Sequence, residues 1–464
     1  MTAHTARPPQ AAQAARAAHR RRIARLAVPM AAAQLLAIMV PIVIVAILGW
    51  MGDEAIRVRS LYFPLAFLFF GVQVAFDVTN QTITALRTGR GERDVGATTM
   101  SVALVWLGTG LALGIGLSLA APALADVLGA DAGGADLFVR FLRWMSLANL
   151  TLAWPVLCAS ALRGAGRAGP AALIMLVGSA VEVAGLAVLG FGCGLDIAAL
   201  PLATALNGLT AGAFGMVVLA RTGLLREWGW RPEVLGYLLR TGVPVSLTNI
   251  VMFGMNFAFV MMLKPFGPDV IAGFATATTV QNLVIMPAVV LGSAAAIVMN
   301  QSLGASGREQ VAAVLGAALR TTLAVYAVIV PVLWLLRGII GHLTAENARI
   351  ASETARYLAI VGPSFVVLGL VLTALMALEQ TGGARLALAA SAVYVAGSVG
   401  IGALAGRGAG GPVPLYATIA AMNTAGVLAV LAAVAFTRAQ DRRRRTSGEE
   451  PAWGAAPPSP VRPD

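Results

Sequence analysis

Residues 162–194 read LRGAGRAGPAALIMLVGSAVEVAGLAVLGFGCG, and the class of the fold is legible in this stretch. A basic, glycine-rich turn (Arg163, Gly164, Gly166, Arg167, Gly169) leads into Pro170, whose fixed φ and missing N–H suit the first turn of a helix. Between Pro170 and Gly192 every residue is apolar or small except Ser179 and Glu182. Twenty-three residues at about 1.5 Å each cross a hydrocarbon core of about 30 Å, so the stretch predicts a membrane-spanning helix. Glu182 falls near its middle, where an ionised carboxylate is costly and marks a functional candidate.

The whole chain has the same character. Its 464 residues are 58% hydrophobic and 12% charged, with a mean hydropathy of +0.81. Soluble domains carry about 25% charged residues, so the composition is that of a polytopic membrane protein. The 51 glycines suit helices that pack through small residues, as at Gly110 and Gly114. Cys158 and Cys193 lie in or beside apolar segments and have no metal-ligand spacing.

Outward from residues 162–194, Gly, Pro and charged turns divide the chain into twelve spans, at 26–51, 59–86, 96–122, 137–162, 170–192, 197–220, 241–264, 270–300, 313–337, 354–378, 385–406 and 413–437. Residues 1–25 form a basic tail, 26–220 a first six-helix lobe, 221–240 a linker, 241–437 a second lobe, and 438–464 a Pro/Gly/Ala-rich tail expected to be disordered. An even number of spans places both ends on one side. That side holds 24 of the 33 Lys and Arg residues against 9 opposite, and 12 against 9 without the tails. The bias predicts cytoplasmic termini in the cytoplasmic membrane, and it explains the +12 net charge without nucleic acid. The first apolar run is too long for a signal-peptide core and lacks a cleavage site, so the N-terminus is expected to be retained.

The halves repeat each other. Pro29 and Pro244 open their first spans 215 residues apart. RTGRGERD (87–94) answers SLGASGREQ (302–310), with Gly89 matched to Gly304 and Arg93 to Arg308. RFLRW (140–144) answers RYLAI (356–360), ALRGAG (161–166) answers ALEQTG (377–382), and Ala203-Thr204 answers Ala417-Thr418. Six spans per half give both copies the same orientation, a parallel repeat of the kind that encloses a substrate site in transporters.

These pieces, in this order and in both halves, resemble the MATE (multidrug and toxic compound extrusion) family from about residue 25 to residue 438. The resemblance implies twelve helices in two lobes, alternating access, and export of bulky, often cationic compounds in exchange for protons or sodium. It also implies a polar site in the first lobe on helices 1, 5 and 6. The sequence departs from that pattern. The helix 1 position where an acid is usual holds Ile44, and the usual Asn and downstream Asp positions of helix 5 hold Glu182 and Leu186. Thr204 of helix 6 is kept, with Asn207 one turn on. Helix 7 has Met252 and Asn256 where the sodium-coupled branch carries acids.

Glu182 is the first candidate for carrying a proton, since taking a carboxylate out of water favours its neutral form. The alternative is a structural Glu that ties two helices together. Asp77 is the second candidate. With Gln73, Asn80, Gln81 and Thr84 it forms a stripe at helical spacing that should face the lumen or another helix. It could instead pair with Arg87 or another basic residue as a gate. Gln34, Gln73, Asn80, Thr204, Asn207, Asn249, Asn256, Gln281 and Asn282 are the expected cavity-lining residues, although the second-lobe amides, Asn300 and Gln301 included, could equally hold helices together. Glu379 is read as an interface residue and Lys264, the only lysine, as snorkelling. Phe253, Met255, Phe257 and Met286 suit a drug cavity or ordinary packing. No interior arginine is evident, with Arg320 ambiguous.

No P-loop, zinc-protease pattern or Asp-rich diphosphate motif is present, and His4, His19 and His342 are scattered. The expected protein is therefore an all-α membrane protein, not an enzyme. Its expected work is proton-coupled efflux of a small organic molecule, with sodium the less favoured ion. A lipid-linked or polysaccharide precursor flippase of the same superfamily and a non-transporting protein that keeps the fold are the alternatives. No cofactor or metal is expected; the partners are substrate and membrane lipid, and the chain is expected to be a monomer.

Overall fold

The computed structural model describes residues 8–92, 94–129, 132–305, 311–344, 347–405 and 411–447. His4, Arg93, Arg308 and the tail beyond Ser447 lie outside these residues. Among the described residues all regular structure is helical. The membrane-spanning candidates are α1 (Pro8–Met51), α2 (Asp53–Gly89), α3 (Gly96–Val127), α4 (Gly134–Gly164), α5 (Ala168–Gly192), α6 (Asp196–Arg221), α7 (Glu233–Phe266), α8 (Pro268–Gly304) and α9 (Val311–Thr344), then the stretch Ala348–Ala405, and a last helix, Val413–Arg443.

The stretch Ala348–Ala405 has 58 residues, about 87 Å if straight, which no single crossing needs. It is divided at Thr381 (φ −114°, ψ 29°) and Gly382 (φ 90°, ψ 0°), the latter a left-handed conformation that glycine adopts without a Cβ clash. The result is α10 (Ala348–Val361, continued through Phe365–Leu378) and α11 (Ala384–Ala405), with Val413–Arg443 as α12. Twelve spanning helices are thus present among the described residues.

The chain forms two compact units. One is essentially Val28–Ser246; the other comprises Leu247–Leu303, the described residues from 311 onward, and the start of α1 up to Ala27. Helices α1 and α7 therefore each pass from one unit to the other beside a repeat-matched proline, Pro29 and Pro244. Within the first unit, Leu48, Phe141, Leu142 and Leu186 pack round Tyr62, whose ring meets that of Phe141 edge-on at 5.4 Å. Helix α4 lies close on α2: a Cβ on Gly164 would sit 2.6 Å from the Gln81 carbonyl oxygen. The core of the second unit is aromatic, with Tyr357 and Tyr416 edge-on at 5.1 Å beside Phe274. Leu119 (77% exposed), Val188 (63%) and Leu209 (62%) leave apolar surface outside the first unit, as a lipid-facing helix does.

One segment expectation, the disordered tail from 438, is corrected, and two other segments gain detail. The basic tail 1–25 is helical from Pro8; Ile23 is fully buried and Arg22 donates to Gln301 Oε1 at 2.9 Å. The linker 221–240 already holds the first turns of α7, Glu233–Tyr237, tied to α2 by the Arg87–Glu233 ion pair at 2.7 Å. The tail expected to be disordered from 438 is helical through Ser447. There Asp441 accepts from the backbone N–H groups of Val311 and Ala312, both at 3.0 Å, at the start of α9, and Gln440 donates to the Thr381 carbonyl at 2.9 Å. A carboxylate at a helix N-terminus satisfies donors that have no partner within the helix. Composition alone does not show that a polar tail has such a neighbour.

Candidate functional site

Glu182 stands on α5, one turn after Gly178, and Thr204 and Asn207 stand one turn apart on α6, so each pair shares a helix face. The two faces meet. Thr204 Oγ1 donates to Glu182 Oε1 at 2.8 Å, and Asn207 Nδ2 donates to Oε2 at 2.9 Å. Gly178 makes room for this contact, since a Cβ there would lie 2.2 Å from Asn207 Oδ1 and 3.0 Å from the Ala211 Cβ. Both carboxylate oxygens are thereby held by neutral donors rather than by a cation.

This carboxylate borders a cavity of about 260 Å³ inside the first unit, together with Ser179 and Asn207, with Ala37, Val40 and Ile44 of α1, and with Arg59, Tyr62 and Gln73 of α2. Ile44, at the position where the resemblance implies an acid, is 7% exposed and contributes only hydrocarbon. The acid that faces this cavity comes from α5.

Arg59 corrects the expectation that no interior arginine is present. It opens the second expected span, 59–86, and lies six residues inside α2, which starts at Asp53. Its guanidinium carbon stands 5.7 Å from the Tyr62 ring centroid and 6.0 Å from that of Phe63. It interacts electrostatically with Glu182 without forming an ion pair with it, and its Nη1 is buried with no hydrogen-bond partner among the described residues. The signal was present in the spacing: Arg59, Tyr62 and Gln73, at intervals of three and eleven, share one helix face.

The other predicted residues are placed elsewhere. Asp77 forms an ion pair with Arg163 of α4, not with Arg87, and Arg163 also donates to Gln81 Oε1 at 2.8 Å. Asn80 is fully buried and donates to the Leu157 carbonyl at 2.9 Å and to Ser160 Oγ at 2.8 Å. Most of the α2 stripe therefore faces α4; Gln73 alone of it reaches the cavity lining. Asn80 is not among the residues lining this cavity, and a polar face on α4 satisfies it. Gln34 is exposed on α1. In the second unit Gln281 accepts from the Tyr357 hydroxyl at 2.6 Å, Asn249 is half-buried, Asn282 is exposed, and the exposed Asn256 donates to the Met252 carbonyl of its own helix at 3.2 Å. Glu379 is buried at the α10–α11 turn.

Comparison with known proteins accords with this architecture. The sequence model of the MatE family matches residues 29–189 and 244–402, one stretch in each half. A probable multidrug resistance protein of Bacillus subtilis, YoeA, is 25% identical over 279 residues, which is 55% of this chain and 58% of that protein; the chain thus matches less than two thirds of its length. The bent form of the MATE transporter VcmN of Vibrio cholerae superposes with a TM-score of 0.85 at 17% identity, covering 92% of this chain and 99% of that one. A MOP superfamily transporter of Pyrococcus furiosus, described as having a binding pocket of reversed polarity that suggests a different function, superposes with a TM-score of 0.81 at 18% identity, covering 92% and 97%.

Proposed function

The chain belongs to the MatE family, and from that premise we propose that it is a secondary efflux transporter which exchanges organic compounds for protons, with Glu182 as the proton carrier. The observation that carries this reading is the setting of Glu182. Its two oxygens are held by the neutral donors Thr204 and Asn207 at the edge of a cavity, while the α1 position facing that cavity is Ile44. A carboxylate so placed exchanges its proton for the positive end of a substrate: the ionised form attracts the substrate, and the protonated form releases it. Alternation then needs no second energy source, because proton and substrate compete for one group. The family and the name of the Bacillus subtilis relative support drug-like organic compounds as cargo. The basic residues near the chain ends support cytoplasmic termini in the cytoplasmic membrane.

The test is uptake of a fluorescent organic amine into proteoliposomes under an imposed pH gradient, with a sodium gradient in parallel. The wild type is expected to respond to the proton gradient alone, and Glu182→Gln to lose that response. Transport by Glu182→Gln at the wild-type rate under a pH gradient overturns the reading. A second reading, a flippase for anionic lipid-linked precursors, is favoured by one observation, the cationic Arg59 on the cavity wall. Gradient-independent movement by the wild type would support it.

A further inference from the structure

We propose that Arg59 makes the cavity of the first unit selective for zwitterionic amphiphiles, binding the carboxylate or equivalent oxyanion of a molecule whose cationic end competes with the proton at Glu182. This rests on the reading of that cavity as the substrate site and names the class of substrate it takes.

Arg59 and Glu182 line one cavity from different helices and interact through space, while the hydrogen bonds of Glu182 go to Thr204 and Asn207. Glu182 has both oxygens satisfied. Among the described residues Arg59 makes no ion pair, has two aromatic faces about 6 Å away, and has a buried Nη1 without a hydrogen-bond partner. Aromatic rings orient a guanidinium but do not neutralise it, and a cation within a membrane-spanning helix that makes no ion pair is costly. Simple snorkelling does not describe it: Arg57, two residues nearer the helix start, is exposed, whereas Arg59 is turned to the cavity. A guanidinium offers a planar fork that matches an oxyanion in two bonds.

The second element is an apolar neighbour. Arg59, Pro41 and Ser60 also border a groove of about 450 Å³ whose other walls, Ile42, Val45, Leu48, Ile56 and Phe63, are hydrocarbon. Arg59 thus stands at the junction of a hydrocarbon-lined space and the space that holds Glu182. An amphiphile places its apolar body in the former and its charges at the junction.

The third element is linkage. With Glu182 ionised the two side chains sum to zero charge; with it protonated the cavity is left positive. A pure anion therefore binds better when the proton is bound and would travel with it. A pure cation is drawn by ionised Glu182 but leaves Arg59 without a counter-charge in either state. A zwitterion satisfies Arg59 throughout and competes with the proton at Glu182, which is the condition for exchange.

The test uses the purified full-length chain in detergent with no gradient, and reads dye binding by fluorescence anisotropy. Rhodamine B carries a cation and a carboxylate, its ethyl ester the cation alone, and fluorescein anionic groups alone. The wild type is expected to bind rhodamine B at least about tenfold more tightly than the ester, as for one charge-assisted pair, and more tightly than fluorescein. In Arg59→Gln the acid-to-ester ratio falls to near one, and Arg59→Lys recovers part of it. A wild-type ratio near one, an unchanged ratio in Arg59→Gln, or fluorescein bound as tightly as rhodamine B overturns the proposal. Measured melting and the persistence of ester binding separate a selectivity change from misfolding. Ser179→Phe, which fills the cavity, should abolish binding of both rhodamines. If it does not, the cavity is not the substrate site and both readings fail, whereas loss of the pH-gradient response alone leaves the charge selectivity standing.

Discussion

Two acids occupy spanning helices of the same unit, and their surroundings differ in kind. Asp77 of α2 touches a permanent cation, Arg163, whose other contact is Gln81 on the helix of Asp77 itself. Glu182 of α5 accepts, among the described residues, from a hydroxyl and an amide alone, and it borders a cavity. A carboxylate locked to a guanidinium does not give up its charge without leaving a cation uncompensated. One held by neutral donors changes charge at much smaller structural cost. An acid in an oily helix thus has no single meaning: its partner decides whether it is a rivet or a switch.

The largest expected effect breaks the comparison at its functional side. Glu182→Gln reduces proton-driven flux to the level of empty proteoliposomes, while Asp77→Asn, if it folds, keeps a measurable gradient response; equal loss in both would remove the distinction. The next effect is on stability. Asp77→Ala, which leaves Arg163 without its partner, costs about 3 kcal/mol, read as a lowered melting temperature. The double variant with Arg163→Leu should recover most of that loss, and failure to recover would show that the pair is not what matters there. Gly178→Ala sharpens the other side. Its methyl group lands on Asn207 Oδ1, so it should cost about 1–3 kcal/mol and weaken transport, with Asn207→Ala in the same chain relieving the clash. The smallest effect belongs to Thr204→Val. It removes one of the two hydrogen bonds to Glu182, about 1 kcal/mol in melting experiments, and leaves the Asn207 contact to sustain partial transport.

How much of this was legible in the sequence varies from residue to residue. Glu182, Thr204 and Asn207 were singled out from spacing and from the resemblance, and the structure joins them. Arg59 was not, because hydropathy finds where a helix lies but not which way its ends face. At the edge of a span an arginine that snorkels and one that turns inward look alike. Asp77 and Asn80 were read from a sound periodicity. The stripe faces a neighbour, but periodicity does not say whether that neighbour is a lumen or another helix, and α4 answers with Arg163, Leu157 and Ser160. The tail from 438 to 447 failed for a related reason, since the residues it caps are 129 and 130 positions away in the chain.

By itself the sequence determined the class of the fold, the twelve spans and the repeat. Each follows from local pattern: runs of apolar residues long enough to cross a bilayer, interrupted by turns, in two copies with matching prolines. Tertiary structure decided which acid stands on a cavity, which is tied to a cation, and that an arginine faces the same space as Glu182. Those outcomes depend on the rotation of each helix and on the side chains its neighbours present, and such long-range pairings leave no mark in the local periodicity of any one span.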